Sequence, residues 1–390
     1  MIQGIIALGA GALVLLGWIG LEIPYRRHRG NTLEVPPGEW RLTRQDPDHY
    51  QLVGIQTFRN PLDDLEVMIP ELKPEIQLLS KASVRGITPE ITVTPQHPDE
   101  PARQDDYWFA YIVKRKKQTQ IKVTLDLRGS NLEALKAIWV KLHYISYGPR
   151  GRLSKTQHAV IPLQFPDPQA MPAWKSTPKA DILPIPTHLL NPLDDYVEIV
   201  QRYVVPHAQP GDIVAIGETP IAIMQGRWRH PSEIQPGWVA THLCYFFMPT
   251  SSLATACGMQ ALVDIVGPGR VLLAFLLGSV AKIFRIPGMF YRLAGEQARL
   301  IDDVTGTLPP FDQFIVLGPD QPDQVVDQIQ TATKLGAAIV DVNDLKRVKT
   351  LAASSDVSLN ILESALRDNP AGNGDEQTPV VLIRPKRPSN

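Results

Sequence analysis

Residues Met1 to Leu21, MIQGIIALGAGALVLLGWIGL, contain no charged side chain. About 20 apolar residues suffice to cross a bilayer as a helix. Trp18 lies near the end of the run and Tyr25 comes just after it, where interfacial anchors belong. Arg26, Arg27 and Arg29 come next, with His28 among them. A basic cluster just after a span places the rest of the chain in the cytoplasm. The expectation is an uncleaved, single-pass membrane helix over residues 1–23. The alternative is a cleaved signal peptide, which needs a basic region before the apolar run and a small-x-small cleavage site. The basic residues stand on the other side.

The remainder is globular in composition. Apolar residues make up 44% and charged residues 20% of the 390, which argues for two or three packed domains. The formal net charge is −1, so no basic excess points to nucleic acid. The 36 prolines favour short strands and stiff connections over long helices. Cys244 and Cys257 are the only cysteines. They make no disulfide framework and have no CxxC partner, so two buried thiols in a reducing compartment are expected.

Residues 31–166 read as an all-β, sandwich-like domain, with an Ig-like arrangement as the nearest pattern. Tyr107–Val113 is densely aromatic and aliphatic, and Ile121–Leu127 alternates with period two. Lys114-Arg115-Lys116-Lys117 between them suggests a hairpin with a basic tip. That tip is either a solvated end or a contact for anionic lipid. Residues 138–145 and 158–165 read as further strands. Residues 167–180, rich in proline, read as a linker.

From residue 181 to 385 the pattern is mixed α/β, so the whole chain is α+β in class. Leu193–Tyr203 has helical spacing, with Asp194 and Asp195 in its first turn. Ile213–Ile216 reads as a buried strand, and Ile221–Met224 as a second apolar strand running into Gln225-Gly226-Arg227. Val271–Ala281 is apolar but too short for a span, so a buried core element is expected. Pro287–Gly295 reads as a loop and Phe314–Leu317 as a strand. Val325–Leu335 reads as a helix leading through Gly336 into a strand that ends IVDVNDL, Ile339–Leu345. Leu359–Leu366 reads as a helix and Val380–Ile383 as a last strand. Asp341 and Asn343, two apart, project to one side of a strand. Carboxylates at a strand's C-terminal end sit where α/β folds place ligand chemistry, and oxygen donors suit Mg²⁺ or Mn²⁺. Alternatively Asn343-Asp344 caps a helix beginning near Leu345. A phosphate-cradling GxxxxGK[ST] loop is absent, as are HExxH and GxSxG.

Six segments together resemble a known family. They are PTHLLNPLDDY (186–196), PGDIVAIGETPIAIMQGR (210–227), GMFYRLAGEQARLIDD (288–303), TLPPFDQFIVLGPDQPDQV (307–325), IVDVNDL (339–345) and LRDNPAGNGDEQTPVVLIRP (366–385). In this order they resemble the bacterial branch of the coenzyme F-420 gamma-glutamyl ligases (F-420-0:L-glutamate ligase). The resemblance covers the C-terminal half and not the anchor or the β domain; the membrane-anchored arrangement looks cyanobacterial. It implies a mixed α/β domain that often dimerises. It also implies GTP as co-substrate, a small-molecule carboxylate activated as an acyl phosphate, and attack by the amine of L-glutamate. Divalent metal, Mg or Mn, would support phosphate transfer at Asp302, Asp341 and Asp344. Glu218, Gln225 and Arg227 would bind nucleotide or substrate. Catalytic residues proper are not indicated. Where the family carries Ser-Glu-Lys this chain has Gly217-Glu218-Thr219, which removes a lysine from the phosphates. The family's Asn-Pro-Leu-Gly-Gln becomes Asn369-Pro370-Ala371-Gly372-Asn373, and of an archaeal Gly-Ile-Asp-x-Ser-Asn signature only Ile301-Asp302 remains. A non-catalytic descendant that binds a ligand or scaffolds a membrane complex is therefore the second expectation.

Overall fold

The computed structural model describes residues 16–23, 30–105, 107–170, 173–303, 308–342, 347–372 and 376–386. Residues 16–23 form a helix, α1. The rest of the expected span, residues 1–15, lies outside the described residues. Among the described residues no single helix is long and apolar enough to cross a membrane. The chain divides into two compact units. The first comprises Met1–Ile76, Thr88–Gly129 and Val140–Ala159, and the second Gln77–Ile87, Ser130–Trp139 and Val160–Asn390.

The β region supplies β1 (Glu39–Asp46), β2 (His49–Arg59), β3 (Val67–Ile69), β4 (Leu72–Ser80), β5 (Ile87–Gln96), β6 (Tyr111–Val113), β7 (Gln118–Gly129), β8 (Leu135–Gly148) and β9 (Gly151–Pro162). One sheet has the order β1-β2-β7-β5, the other β4-β8-β3-β6 with β9 beside β8. In β2 and β7 alternate residues are buried, as period-two patterning requires of a sheet with one face on the core. Leu52 stands opposite Leu125, and Gln56 opposite Ile121. Leu52, Phe58, Ile121, Val123 and Leu125 are fully buried, each contributing about 1.5–3 kcal/mol in transfer terms.

The basic segment 114–117 is not a hairpin tip. β6 pairs with β3 and β7 with β2, so the chain crosses from one sheet to the other there. Lys114 is 2.8 Å from Asp99, and Lys116 is 2.9 Å from Asp63. Period-two alternation identifies a strand but carries no partner assignment, which is why adjacency in sequence misled.

The second unit is built on a six-stranded sheet, β10-β11-β18-β12-β16-β17. Its strands are β10 (Lys175–Ser176), β11 (Ala180–Ile185), β12 (Ile213–Gly217), β16 (Gly336–Val342), β17 (Val348–Ala353) and β18 (Val380–Pro385). β12 runs parallel to β16 and antiparallel to β18. Two helices, α2 (Tyr196–Tyr203) and α9 (Pro322–Thr333), cover one face, where Val200, Val326 and Ile329 meet Val214, Ile216 and Ile339. A third, α10 (Leu359–Leu366), covers the other, where Leu362 and Leu366 meet Ile213, Ala215 and Val340. Successive residues of β12 thus face opposite cores, and a strand buried on both faces reads as a continuous apolar run. Asp195 caps α2 by accepting from the Val197 and Glu198 amides.

Between β12 and β16 the chain forms α3 (Glu218–Met224), β13 (Trp228–Arg229), α4 (Trp238–Leu243), α5 (Ala256–Val266), α6 (Pro268–Ile283), α7 (Met289–Ala294), α8 (Gln297–Leu300), β14 (Asp302–Asp303) and β15 (Ile315–Val316). β15 lies between β13 and β14. Both cysteines are free, Cys244 buried and Cys257 half-buried.

Four sequence expectations fail here. Ile221–Met224 is part of α3 rather than a strand. Pro220 stands in its first turn, where a missing N–H costs nothing. Residues 287–295 are not a loop: Gly288 (φ 76°) and Gly295 (φ 105°) bracket α7. Leu345 lies outside the described residues, but where the helix expected near it would continue, Val348–Ala353 is a strand paired back onto β16. Finally, α6 buries only Val271 and Ala274, while Leu273, Leu276, Leu277, Val280 and Ile283 are exposed.

Candidate functional site

Parallel pairing of β12 and β16 sets Gly217 beside Val340. The next residue on each strand is a carboxylate, Glu218 and Asp341. Both stand at the C-terminal ends of adjacent parallel strands, where open α/β sheets collect ligand chemistry. Glu218 begins α3 after Gly217, whose extended backbone (φ −63°, ψ 149°) turns the chain from strand to helix. On the other side of β16, Lys349 of β17 stands directly opposite Asp341. Asp302 approaches from β14, which hangs on β15 through the pair Asp302–Val316.

These groups sense one another electrically. Burial pushes the Glu218 carboxyl up to about 8, and the negative charges of Asp341 and, more weakly, Asp302 add to the push. The Thr219 hydroxyl donates to Glu218 Oε1 at 3.2 Å and works the other way. Burial also raises Asp341, against the attraction of Lys349. Lys349 is held by Glu296, with Nζ to Oε1 at 2.7 Å. Carboxylates crowded in a partly dry site resist ionising together, and an added positive charge relieves the conflict.

The donor set is all oxygen, which suits a hard divalent cation. Among the described residues, however, no three His, Cys, Asp or Glu side chains converge to hold a metal ion. Asn343 and Asp344 lie outside the described residues. The structure therefore brings Glu218, Asp341 and Asp302 into one electrostatic neighbourhood.

Gln225 and Arg227 have a different setting. The Gln225 amide bonds the backbone of Asp320 twice, Nε2 to the carbonyl at 2.9 Å and the Asp320 amide to Oε1 at 2.7 Å. Arg227 Nε donates to the Gly318 carbonyl at 2.6 Å. Both side chains pin residues 318–320. Lys349 was missed by sequence reasoning. Val348-Lys349-Thr350-Leu351 carries no period-two signal, so only the pairing with β16 brings Lys349 to Asp341.

Comparison with known proteins adds one clear finding. Residues 34–165 match the family model described as the N-terminal Ig-like domain of F420-0:gamma-glutamyl ligase. The match supports an Ig-like β domain and falls on the part of the chain that the sequence resemblance had left out. No curated protein matches the chain. Solved structures similar in part include the GAE domain of yeast GGA1, at 15% identity over 35% of this chain and 96% of that one, TM-score 0.20. Others are the GAE domain of GGA2p from Saccharomyces cerevisiae (10%, 35% and 94%, TM-score 0.20) and a protein from Archaeoglobus fulgidus (13%, 34% and 99%, TM-score 0.19). Likenesses at these scores carry no argument.

Proposed function

We propose that this chain is a ligase-like relative of the F420-0:gamma-glutamyl ligases, tethered to a membrane by its N-terminal run with its domains on the cytoplasmic side. The observation that carries the reading is the family's Ig-like domain at residues 34–165. The acids at the ends of β12 and β16 give it a chemical centre. The reaction proposed is the one the sequence resemblance implies: GTP activates a small-molecule carboxylate, and the amine of L-glutamate forms the amide.

Asp341 and Asp302 are proposed as metal-holding residues, joined by Asp344. A divalent cation there would supply charge neutralisation and orientation for the transferred phosphoryl group. The chain's own groups prepare the site. Glu218, raised to about 8, holds its proton at neutral pH and offers a donor as well as an acceptor to a carboxylate or phosphate oxygen. Lys349 opposite Asp341 brings a positive charge to a motif that has lost the family's lysine after Glu218. Gln225 and Arg227 fix the 318–320 turn beside β15.

The test is calorimetric titration of the full chain with Mn²⁺, with and without GTP or ATP. Binding should be weakened at least tenfold by Asp341→Asn while unfolding is little changed. Because a cation lowers nearby carboxyl pKa values, binding should release protons and its heat should depend on the buffer. Equal binding by wild type and variant, or none by either with nucleotide present, would leave a non-catalytic binding or scaffolding protein.

A further inference from the structure

Among the described residues, the apolar face of α6 is left uncovered. Leu273, Leu276, Leu277, Val280 and Ile283 recur at spacings of three and four, so they form one stripe. They are 47–79% exposed. The opposite side of α6 is the one that packs, with Val271 and Ala274 buried and Gly278 against the Phe290 backbone. Phe284 extends the stripe at 72% exposed, and Phe246, itself 70% exposed, packs tilted against Phe275 of α6 with ring centroids 5.1 Å apart. Tyr245 and Met248 beside it are 85% and 72% exposed. Apolar patches of this kind mark a docking surface.

Charge selects the partner. From Trp238 to Gly295 the sequence holds one acidic residue, Asp264, and four basic ones, Arg270, Lys282, Arg285 and Arg292. Asp264 is paired with Arg229, while Lys282 and Arg285 are exposed where α6 ends. An apolar stripe with aromatic neighbours and an excess of basic residues matches the boundary of an anionic bilayer, where rings sit at headgroup level and each lysine or arginine is attracted. α5 and α6 together are apolar enough to cross a membrane but bend by 112° at Gly267, so α6 is suited to lie in the interface rather than traverse it.

We propose that the α6 face, with Tyr245, Phe246 and Met248, docks on the surface of an anionic lipid bilayer. The contact is separate from the N-terminal run and from the carboxylate site, and it would hold the second unit against the membrane. Its chemistry asks for acyl chains under the stripe and lipid headgroups around Lys282 and Arg285.

The experiment uses the full chain in vesicles of phosphatidylcholine with phosphatidylglycerol, doped with a lipid carrying a photoreactive group on its acyl chain. Mass spectrometry should find adducts in residues 271–286 and 245–248, and none on α9. Lys282→Gln with Arg285→Gln, or vesicles of phosphatidylcholine alone, should lower that yield about fivefold or more while adducts in residues 1–21 persist. Adducts confined to residues 1–21 would overturn the proposal and leave the anchor intact. So would a lysine-reactive bifunctional crosslinker, applied in parallel, joining Lys282 of two copies while residues 271–286 take up no lipid, which would make the face a dimer contact.

Discussion

At Glu218 the charge conflict has a consequence for pH. Its folded pKa, about 8, lies above the ordinary value near 4.3 for an exposed glutamate. Between those values the folded state holds a proton that the unfolded state has released. Stability from this group is thus complete below the unfolded pKa, falls as pH rises toward 8, and is flat above. Glu218→Gln removes the titration, so it should stabilise the protein relative to wild type at pH 8 and much less at pH 5. A difference of about 3–4 kcal/mol between the two conditions is expected from urea unfolding. A gain equal at both pH values would show that Glu218 ionises normally. Lys349→Met should have a complementary effect: it removes the cation opposite Asp341 and should raise the Asp341 pKa further, read by following that carboxyl through an NMR titration. How much of this site the sequence disclosed depends on the residue. Asp341 was legible because a carboxylate ends a buried apolar run. Asp302 and Glu218 were legible only through family resemblance. The approach of Glu218 to Asp341 was not legible, since it arises from the parallel register of β12 and β16, more than 100 residues apart.

Elements buried on both sides, and helices with one core face and one polar face, announced themselves; elements with a borrowed or uncovered face did not. β12 and β16 are short continuous apolar runs, and α2 and α9 have helical spacing with polar outer faces. β17 has a half-buried pattern that only pairing with β16 explains. α6 is apolar all round, which signals burial in a water-soluble core or contact with lipid; sequence cannot choose between them, and the structure leaves the face open. Its seat on α7 is close. A Cβ at Gly278 would stand 3.0–3.1 Å from the Phe290 backbone. Gly278→Ala sets a helix-propensity gain of about 1 kcal/mol against that crowding. Gly278→Leu has no such offset for its bulk and should cost roughly 1–3 kcal/mol, measured by thermal unfolding. A neutral leucine would mean that α6 and α7 separate readily.

The molecule as a whole raises the question of whether the C-terminal half is self-sufficient. The proline-rich stretch 167–180 suggested a free linker with an independent domain after it. The second unit nevertheless draws in residues 77–87 and 130–139. One of its cores joins Ala137, Trp139 and Val160 to Leu189, Ala222, Phe311 and Phe314, with Leu79 packed alongside. Trp139 is 1% exposed, and its ring lies 5.5 Å from that of Phe314. Truncating a buried tryptophan to alanine costs about 3–5 kcal/mol, against a total of about 5–15 kcal/mol for a typical domain. A fragment beginning at residue 176 loses Trp139, Ala137, Val160 and Leu79 together. It should therefore retain β11, β18, β12, β16 and β17, whose pairings need none of those residues, yet unfold at clearly lower urea concentration than the same region in the full chain. Trp139→Ala in the full chain should reproduce most of that loss without removing any backbone. If the fragment instead matches the full chain, and Trp139→Ala costs under about 1 kcal/mol where burial predicts several, this core is dispensable. The boundary between the halves would then lie where proline content first placed it.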